Sequence, residues 1–427
     1  MKLWDKGYTV NNLVDKFTVG NDRLLDLKIA KYDVLGNMAH AKMLNKAGLL
    51  TEKELEDILR VLEDLLHEIE EGKFVIEDSF EDVHSKVEFE LTKRIGEAGK
   101  KIHTARSRND QVLVDLHLYF KEEIKEIKEL TKSLINTLLE LAEQYKEVLI
   151  PGYTHTQIAM PSSFGLWFSA YAEALIDDII MLKAAYQVAD QNPLGSAAGY
   201  GSSFPVDRDF TTKELGFEHL KVNSIAAQMS RGKLEKVFAY ALASLGGTLS
   251  KVSADVILFM SQNFGFVKFP KELTTGSSIM PHKQNPDVFE LIRARSNKIQ
   301  SLPVEITMIT NNLTSGYHRD FQILKEALFD AIDTTKENIT VAEFMFRHIQ
   351  VNDKVLDNDM YDLIFSVEEV NKLVMEGYSF RDAYKKVGTG ILEGKFKTDK
   401  KANHTHKGSI GNLALDEIRE KLKAFDF

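Results

Sequence analysis

The sequence contains no cysteine, which excludes disulfide bonds, cysteine-based zinc sites and a thiol nucleophile. No segment approaches eighteen consecutive apolar residues without a charge, so we expect no membrane span. The first six residues, Met1 to Lys6, lack the apolar run of a signal peptide. These absences together predict a soluble, cytoplasmic protein.

Acidic residues outnumber basic ones, because the sequence has 64 aspartates and glutamates but 54 lysines and arginines, which gives a formal net charge of −10. This acidic balance argues against a nucleic-acid partner and against an anionic membrane surface. Proline is scarce as well, with eight in 427 residues. Since proline interrupts helices, long stretches without it favour long helices.

Apolar residues recur at helical spacing along most of the chain, which predicts an all-α protein with a central bundle of long helices. Thr51 and Glu54 form a capping-box pattern that predicts a helix start, and Gly72 predicts its end. Further helical patterns cover about 109–149, 162–190, 224–262 and 286–311. Patterns become shorter beyond about residue 355. We therefore expect an N-terminal helical domain (1–105), a central bundle (106–355) and a small C-terminal helical domain (356–427).

The most informative segment is the loop from Gly276 to Pro286, here called the signature loop, whose sequence is GSSIMPHKQNP. Its glycine and two prolines predict a shaped loop rather than a helix or a strand. Its side chains suit a carbon acid that carries a carboxylate, because Ser277 offers a hydroxyl for proton transfer while Lys283 and Asn285 offer anion contacts. A surface loop rich in serine and proline is the alternative, but such loops do not usually place Lys and Asn two residues apart between prolines.

A second polar segment, His103 to Gln111, precedes a long helical pattern. We expect Asn109 or Asp110 to cap that helix, and a helix N-terminus attracts carboxylates. Arg106 and Arg108 add planar anion recognition. An ordinary polar capping segment is the alternative.

Two more segments contain candidate site residues. His155 follows a Pro-Gly break and is a candidate acid or base, although a lone histidine is more often structural. In the segment 317–325, Gln322 and Lys325 share a face if they are helical, with Tyr317 nearby. A surface helix with ion pairs is the alternative for that segment.

Two other patterns are not assigned a ligand. The Gly-rich segment 192–203 lacks the Gly-Lys-Ser/Thr ending of a phosphate loop and the strand before it. His404 and His406 lie in a polar tract, where histidines are usually solvated rather than bound to metal. We expect no cofactor and no metal.

The signature loop resembles the S-S-x-M-P-x-K-x-N-P pattern of the fumarase/aspartase superfamily, whose members abstract a proton next to a carboxylate and release fumarate. His103 to Gln111 resembles the H-T-[GA]-R-S-R-N-D-Q segment of the argininosuccinate lyase family. The segments 152–157, 193–208, 317–325 and 374–388 resemble that family in the same order. The resemblance implies a fumarase/aspartase-like fold, reversible cleavage of argininosuccinate to arginine and fumarate in arginine biosynthesis, and a homotetramer whose sites combine three chains.

The resemblance also implies roles for individual residues. Ser277 would be the general base that takes the Cβ proton, and Lys283 with Asn285 would hold the carboxylate that gains charge. Thr154 and His155 would lie over the succinyl part, with Glu290 paired to His155 for general acid work or for polarising the site. The residues expected to bind the two ends of the substrate are Ser107, Arg108, Asn109, Tyr317, Gln322 and Lys325.

The sequence departs from the family at three places. Pro281-His282-Lys283-Gln284 stands where the family often has Pro-Gln-Lys-Lys, and Trp4-Asp5-Lys6-Gly7 replaces the usual Trp-Gly-Gly-Arg-Phe. Gly20 stands about where the family has a substrate-contacting serine. The rival functions are adenylosuccinate lyase, a non-catalytic crystallin-like protein and a helical scaffold. The residues 107–110 argue against adenylosuccinate lyase. Ser277, His155 and Lys283 argue against a non-catalytic protein, and a helical scaffold would not need the signature loop.

Overall fold

The structure, a computed structural model, describes residues 11–427, so the departure at residues 4–7 lies outside the described residues. The chain divides into two compact units. Unit 1 comprises Met1–Ile127, Met181–Ala243 and Ile299–Thr334, and unit 2 comprises Lys128–Ile180, Ser244–Lys298 and Thr335–Phe427. The three-domain division with boundaries after residues 105 and 355 stays a prediction.

Helices dominate the described residues. In chain order, the helices α1 to α16 span Asn12–Val19, Asp22–Asp26, Ala30–Lys46, Glu52–Glu70, Val83–Ile95, Glu97–Lys100, Arg108–Gln144, Phe164–Ala189, Arg208–Glu214, Ser224–Gln228, Lys233–Met260, Asp287–Ile309, Leu324–Arg347, Ser366–Met375, Phe380–Leu392 and Leu415–Phe425. Short 3₁₀ helices span Lys101–His103, Lys271–Leu273, Arg319–Ile323, Val355–Asp357 and Asp359–Phe365.

The strands are short and form four two-stranded pairs. The strands β1 to β8 span Leu149–Thr154, Gln157–Ser163, Gln191–Asn192, His219–Leu220, Val267–Lys268, Thr275–Gly276, Gln284–Asn285 and Gln350–Val351. Since none exceeds seven residues while α7 alone has 37, the predicted all-α class is confirmed.

The long helices match their predicted positions, apart from one helix end and one internal break. The pattern at 109–149 corresponds to α7, which ends at Gln144, because Leu149 begins β1. The pattern at 224–262 is broken into α10 and α11, and Gly232 between them has a φ of +77°. At that position a Cβ would lie 2.8 Å from a Thr310 methyl carbon, so both the backbone angle and the close contact require glycine.

Each unit has its own apolar core. In unit 1, the ring of Phe120 packs against those of Phe238 and Phe329, with centroids 5.5 and 6.4 Å away. In unit 2, Phe346 packs against Phe168 and Phe289 with centroids 6.3 and 5.8 Å away. Edge-to-face contacts of this kind stabilise a helical core through apolar burial and ring electrostatics.

Local capping signals act as the sequence predicts. The Thr51 side chain accepts a hydrogen bond from the Glu54 N–H, and the Glu54 carboxylate accepts one from the Thr51 N–H. This reciprocal pair satisfies two donors at the start of α4, so the predicted capping box is confirmed.

Among the described helices, only α11 is long and apolar enough by composition to cross a membrane. Core helices of bundles pass the same test. Phe238, Leu242 and Leu245 on α11 are fully buried within the protein, which agrees with a place in the core.

Candidate active site

Unit 1 contains a cavity of about 470 Å³, here called the unit 1 cavity. It is lined by side chains from α2, from the start of α5, from the segment 103–112 and from the segment 317–325. All six residues expected to bind the ends of the substrate line it: Ser107, Arg108, Asn109, Tyr317, Gln322 and Lys325. Segments more than two hundred residues apart in the chain therefore share one concave surface.

The start of α7 positions the first three of these residues. The Ser107 hydroxyl accepts a hydrogen bond from the Asn109 N–H at 3.3 Å, and the Asp110 carboxylate accepts one from the Ser107 N–H at 2.9 Å. The cap is therefore Ser107, and the prediction that Asn109 or Asp110 caps the helix was wrong. The reason is that Asp110 lies inside the first turn, where its carboxylate folds back onto Ser107.

Asp110 also fixes the Gly-rich segment. Its second carboxylate oxygen accepts hydrogen bonds from the Gly195 and Ala197 N–H groups at 3.0 and 2.9 Å. Burial raises the pKa of Asp110 to about 6, against the lowering effect of these bonds. The Gly-rich segment therefore braces the helix start that carries Ser107.

Two guanidinium groups on the cavity are held by one carboxylate. Glu81 lies 3.2 Å from Arg108 and 2.9 Å from Arg319. Asp82 adds a third ion pair at 3.0 Å from Arg108. Sequence reasoning missed Arg319, Glu81 and Asp82 as cavity residues, although the adjacent acids of Glu81-Asp82 before a histidine were a usable signal.

Lys325 is buried and lies between two carboxylates of α2. Its ammonium is 2.7 Å from Asp22 and 2.6 Å from Asp26. Burial by itself lowers the pKa of Lys325, but the two carboxylates outweigh burial and raise it. The ammonium group is therefore charged inside the cavity wall.

Gln322 ties the 3₁₀ helix to the end of α1. Its amide donates to the carbonyl oxygens of Thr18 and Val19 at 2.8 and 3.0 Å. A Cβ at Gly20 would lie 4.0 Å from the Gln322 amide nitrogen, so the departure at Gly20 lies on the rim of the cavity. Gln322 lies in the 3₁₀ helix Arg319–Ile323 and Lys325 in α13, which follows it directly, and both side chains line the cavity, so the two residues share a face as the sequence analysis expected.

A buried charge cluster reaches the cavity through His84. The His84 ring nitrogen is 2.7 Å from Asp33 and 3.6 Å from Asp115. Burial lowers the pKa of His84, but Asp33, Asp82 and Asp115 outweigh it and raise the pKa to about 9. Oxygen and nitrogen atoms of Asp33, His84 and Asp115 are close enough to ligate a metal, but the His84 ring nitrogen already pairs with the Asp33 carboxylate at 2.7 Å. We therefore assign the cluster to ion pairing.

His103 contributes a neutral imidazole to the cavity. Burial lowers its pKa to about 4, and the charges of Arg106 and Arg108 act in the same direction. At neutral pH the positive charge of the cavity therefore comes from arginines, Lys325 and His84.

In unit 2, Thr154 and His155 lie at a hairpin tip. Thr154 of β1 pairs with Gln157 of β2, which leaves His155 and Thr156 as a two-residue turn with φ angles of +53° and +58°. Positive φ at both positions defines a type I′ hairpin turn. Because neither residue is glycine, the turn stores backbone strain while it exposes the imidazole. The sequence analysis did not predict this hairpin.

The signature loop is closed by a second short strand pair. Thr275 pairs with Asn285 and Gly276 with Gln284, so the residues 277–283 form an exposed loop. The Ser277 hydroxyl oxygen accepts hydrogen bonds from the Met280 and Ile279 N–H groups at 3.1 and 3.3 Å. Two backbone donors on this oxygen favour its deprotonated form.

The remaining catalytic candidates are exposed. Lys283 lies in the signature loop, and Glu290 lies in the first turn of α12. Neither Lys283 nor His155 forms an ion pair with another residue in the described range 11–427. The expected pair between His155 and Glu290 stays a prediction.

The structure thus separates the predicted residues into two groups. Unit 1 holds the six substrate-binding candidates, and unit 2 holds Thr154, His155, Ser277, Lys283, Asn285 and Glu290. Their individual roles stay predictions.

Comparison with known proteins identifies relatives of the whole chain. The family described as Lyase matches residues 7–301. The chain is 57% identical to the argininosuccinate lyase of Phocaeicola vulgatus, over 100% of this chain and 96% of that protein. It is 58% identical to the argininosuccinate lyase of Bacteroides thetaiotaomicron over 98% and 94%, and 45% identical to that of Thermotoga neapolitana over 90% and 97%.

Solved structures support the fold. EDDS lyase in complex with formate matches with a TM-score of 0.79 at 21% identity, over 98% of this chain and 91% of that chain. The class II fumarase of Schistosoma mansoni matches with a TM-score of 0.75 at 17% identity, over 89% of each chain. These likenesses establish the fold, and the fumarase/aspartase-like architecture expected from the sequence is confirmed.

Proposed function

The chain belongs to the argininosuccinate lyase family of carbon–nitrogen lyases, and we propose that it cleaves argininosuccinate with the unit 1 cavity and the two exposed turns of unit 2. In this elimination a base removes a proton from Cβ of the succinyl part, and the electron pair forms the carbon–carbon double bond. The bond between Cα and the guanidino nitrogen breaks, and that nitrogen takes a proton. The products are fumarate and arginine. The reaction is reversible.

One observation carries the assignment of the substrate site. The six residues expected to bind the two ends of the substrate all line the unit 1 cavity, although they come from separate parts of the chain. The cavity offers cations for the carboxylates of the substrate and amide and hydroxyl groups for its other polar atoms. This mixture suits a ligand with several charged groups better than an apolar one.

Proton abstraction is assigned to Ser277. A serine hydroxyl is a weak base unless its proton is lost, and the two N–H groups that face its oxygen support the alkoxide. The Cβ proton is weakly acidic, so the developing charge on the neighbouring carboxylate needs preorganised positive charge. The unpaired ammonium of Lys283 suits that role, with the Asn285 amide as a second donor.

His155 and Thr154 are assigned to the opposite side of the succinyl part. The exposed imidazole at the hairpin tip suits proton transfer to the leaving nitrogen or polarisation of the site. Glu290 would hold that imidazole by an ion pair.

We further propose a homotetramer in which residues of several chains complete each site. The signature loop and the hairpin tip are exposed, whereas charge stabilisation is strongest in a site that excludes water. Exposed apolar side chains on α11 and α12, including Tyr240, Leu291 and Met308, offer surfaces for helix contacts between copies. The enzyme would act in the cytoplasm, in arginine biosynthesis.

The activity is tested by ultraviolet detection of fumarate. We expect fumarate release from argininosuccinate and none from adenylosuccinate, with the Ser277→Ala protein as the matched inactive control. Release from adenylosuccinate alone would overturn the substrate assignment.

The shared site is tested by mixing two inactive variants, Ser277→Ala and His155→Asn. If each site takes these two residues from different chains, random reassembly leaves about a quarter of the sites without a mutation. We therefore expect recovery towards about a quarter of wild-type turnover, while each variant reassembled with itself stays inactive. Absence of recovery after mass spectrometry has confirmed subunit exchange would contradict the shared site.

A further inference from the structure

Two residues at the base of the signature loop have no assigned role in the proposed reaction. Thr275 lies in the strand pair that closes the loop, directly opposite Asn285. Asp287 follows two residues after Asn285, as the first residue of α12. Side chains of directly opposite residues in an antiparallel pair lie on the same face and within contact distance. Thr275 is therefore placed to contact the side chain of Asn285.

The side chains of Asp287, Thr275 and Asn285 form one directed chain of hydrogen bonds. The Thr275 hydroxyl donates to the Asp287 carboxylate. The oxygen of the same hydroxyl accepts from the Asn285 side-chain amide at 3.3 Å, and that amide also donates to the Gly276 carbonyl oxygen at 3.4 Å. An ionised carboxylate and a backbone carbonyl only accept hydrogen bonds. Both ends of the chain are therefore fixed as acceptors.

This polarity decides which end of the Asn285 amide faces the strand pair. Rotation about the last side-chain bond of asparagine has two broad orientations, which exchange the amide oxygen and nitrogen. Because the single proton of the Thr275 hydroxyl points to Asp287, the hydroxyl oxygen accepts from Asn285 and does not donate to it. The amide is therefore held with its nitrogen, not its oxygen, on the side of Thr275 and Gly276.

The two bonds of the Asn285 amide are weak enough to be exchanged for a bond to substrate. At 3.3 and 3.4 Å they are longer than the usual N–H···O distance of about 2.9–3.0 Å. A substrate carboxylate is a stronger acceptor because it is charged. It can therefore take one N–H of Asn285 while the other stays on Thr275.

We propose that Thr275 and Asp287 are positioning residues that fix the orientation of the Asn285 amide, so that the substrate carboxylate meets an N–H group and not the amide oxygen. The inference rests on the proposed function, in which Asn285 donates to the carboxylate that gains charge. An amide oxygen in that place would repel the carboxylate as its charge grows. A donor that is oriented beforehand needs no reorganisation at that moment. Thr275 and Asp287 act through Asn285.

General support of the loop is the alternative role for these two residues. In that role, the hydroxyl and the carboxylate would stabilise the strand pair, and their loss would disturb Ser277 and Lys283 as much as Asn285. A double-mutant cycle separates the two roles, because a residue that acts only through Asn285 has no effect once that amide is absent.

The first test is a cycle between Thr275→Val and Asn285→Ala, with kcat for argininosuccinate measured by fumarate absorbance. Valine keeps the shape of threonine and removes the hydroxyl. In the wild-type background we expect a fall in kcat of roughly fivefold, as for one neutral hydrogen bond, and a change in KM below about twofold. In the Asn285→Ala background we expect a further change below about 1.5-fold. An equal fall in both backgrounds would overturn the inference.

The second test is a cycle between Asp287→Asn and Thr275→Val, which does not depend on the activity of an Asn285 variant. The new amide at 287 can donate to the Thr275 hydroxyl, and this frees the hydroxyl proton for the oxygen of Asn285. We expect Asp287→Asn alone to lower kcat by roughly fivefold, and by less than about 1.5-fold when Thr275→Val is already present. Independent losses that multiply would show that Asp287 acts by another route, against the inference.

Two matched variants isolate the hydroxyl of Thr275. Thr275→Ser keeps the hydroxyl and is expected to retain at least about half of the wild-type kcat. Thr274→Val removes a neighbouring hydroxyl, which donates to the Lys271 carbonyl oxygen at 2.9 Å, and is expected to leave kcat unchanged. If Thr275→Ser lost as much kcat as Thr275→Val, the hydroxyl would not be the acting group and the inference would be overturned.

Failure of the inference is distinguishable from failure of the proposed function. A wild-type protein that releases no fumarate from argininosuccinate refutes the proposed function. An active wild-type protein whose Thr275→Val variant keeps the wild-type kcat, or changes only in KM, overturns the inference alone.

Discussion

A buried ion pair beneath the unit 1 cavity provides the sharpest test of how the site is supported. Arg231 lies 2.9 Å from Glu235, and each side chain is 3% exposed. Glu235 also accepts a hydrogen bond from the Gly232 N–H at 2.7 Å, at the start of α11. Arg231 donates to the Phe321 carbonyl oxygen at 2.8 Å. The pair therefore anchors the 3₁₀ helix that carries Gln322.

The perturbation is Glu235→Gln, which keeps the shape of the side chain and removes its charge. It leaves the Arg231 guanidinium buried without a counter-charge. Removing one partner of a buried pair costs about 3–5 kcal/mol, because the remaining charge stays desolvated. Glutamine retains an oxygen for the Gly232 N–H, so we expect the lower end, about 3 kcal/mol.

The assay is thermal unfolding followed by circular dichroism. For a cooperative unit of 150–250 residues each kcal/mol lowers Tm by about 2–4 °C, so a fall of roughly 10 °C is expected. The control is the double variant Arg231→Met with Glu235→Met, which removes both charges and should recover most of the loss. The KM of the double variant for argininosuccinate should be raised, because it lacks the bond from Arg231 to Phe321.

A Glu235→Gln protein with a Tm within about 2 °C of the wild type would refute the reasoning, because the expected fall is several times larger. So would a double variant as unstable as the single one.

The remaining predictions concern catalysis and pH. Ser277→Ala should lower kcat by orders of magnitude in steady-state kinetics and leave KM nearly unchanged. Near-normal turnover would show that Ser278 or His155 is the base instead. Lys283→Met should lower kcat far more than substrate affinity, because charge builds in the transition state. Lys283→Arg should also have a low kcat, because a planar guanidinium does not replace a compact ammonium. A change in KM alone would contradict this role for Lys283. Because the folded-state pKa of His84 is raised to about 9, its stabilising contribution is complete below about pH 6.5 and is lost as pH rises through 9, at a cost of about 3 kcal/mol. Thermal melts of the wild type should show this loss, and a His84→Gln protein that lost as much stability over the same range would contradict it.

Features encoded over short stretches of sequence were predicted well. The capping box of Thr51 and Glu54, the positions of the long helices and the loop at 277–283 depend on neighbouring residues, so periodicity and capping patterns reveal them. The ends of the signature loop were predicted wrongly, because Gly276 pairs with Gln284 and Asn285 with Thr275 in a short strand pair. The residues 286–311 were expected to be helical, and α12 spans Asp287–Ile309.

Errors arose where a short segment supports more than one structure. The hairpin at 149–163 was missed because both of its strands contain proline and because the helical pattern before it has no glycine or proline until Pro151. Its turn uses His155 and Thr156 at positive φ, where glycine or asparagine is the usual signal. The cap at Ser107 was misassigned by two residues because Ser107, Asn109 and Asp110 are all good capping residues.

By itself, the sequence determined the helical architecture and the lyase family, and it predicted the residues that carry the reaction, because each lies in a local pattern of residue types. Only the tertiary structure decided how those residues are supported. It paired Lys325 with Asp26, 299 positions away, and Arg319 with Glu81, 238 positions away. Such pairs produce no periodic pattern in the sequence, because the strength of an ion pair depends on distance in space and on burial rather than on spacing along the chain.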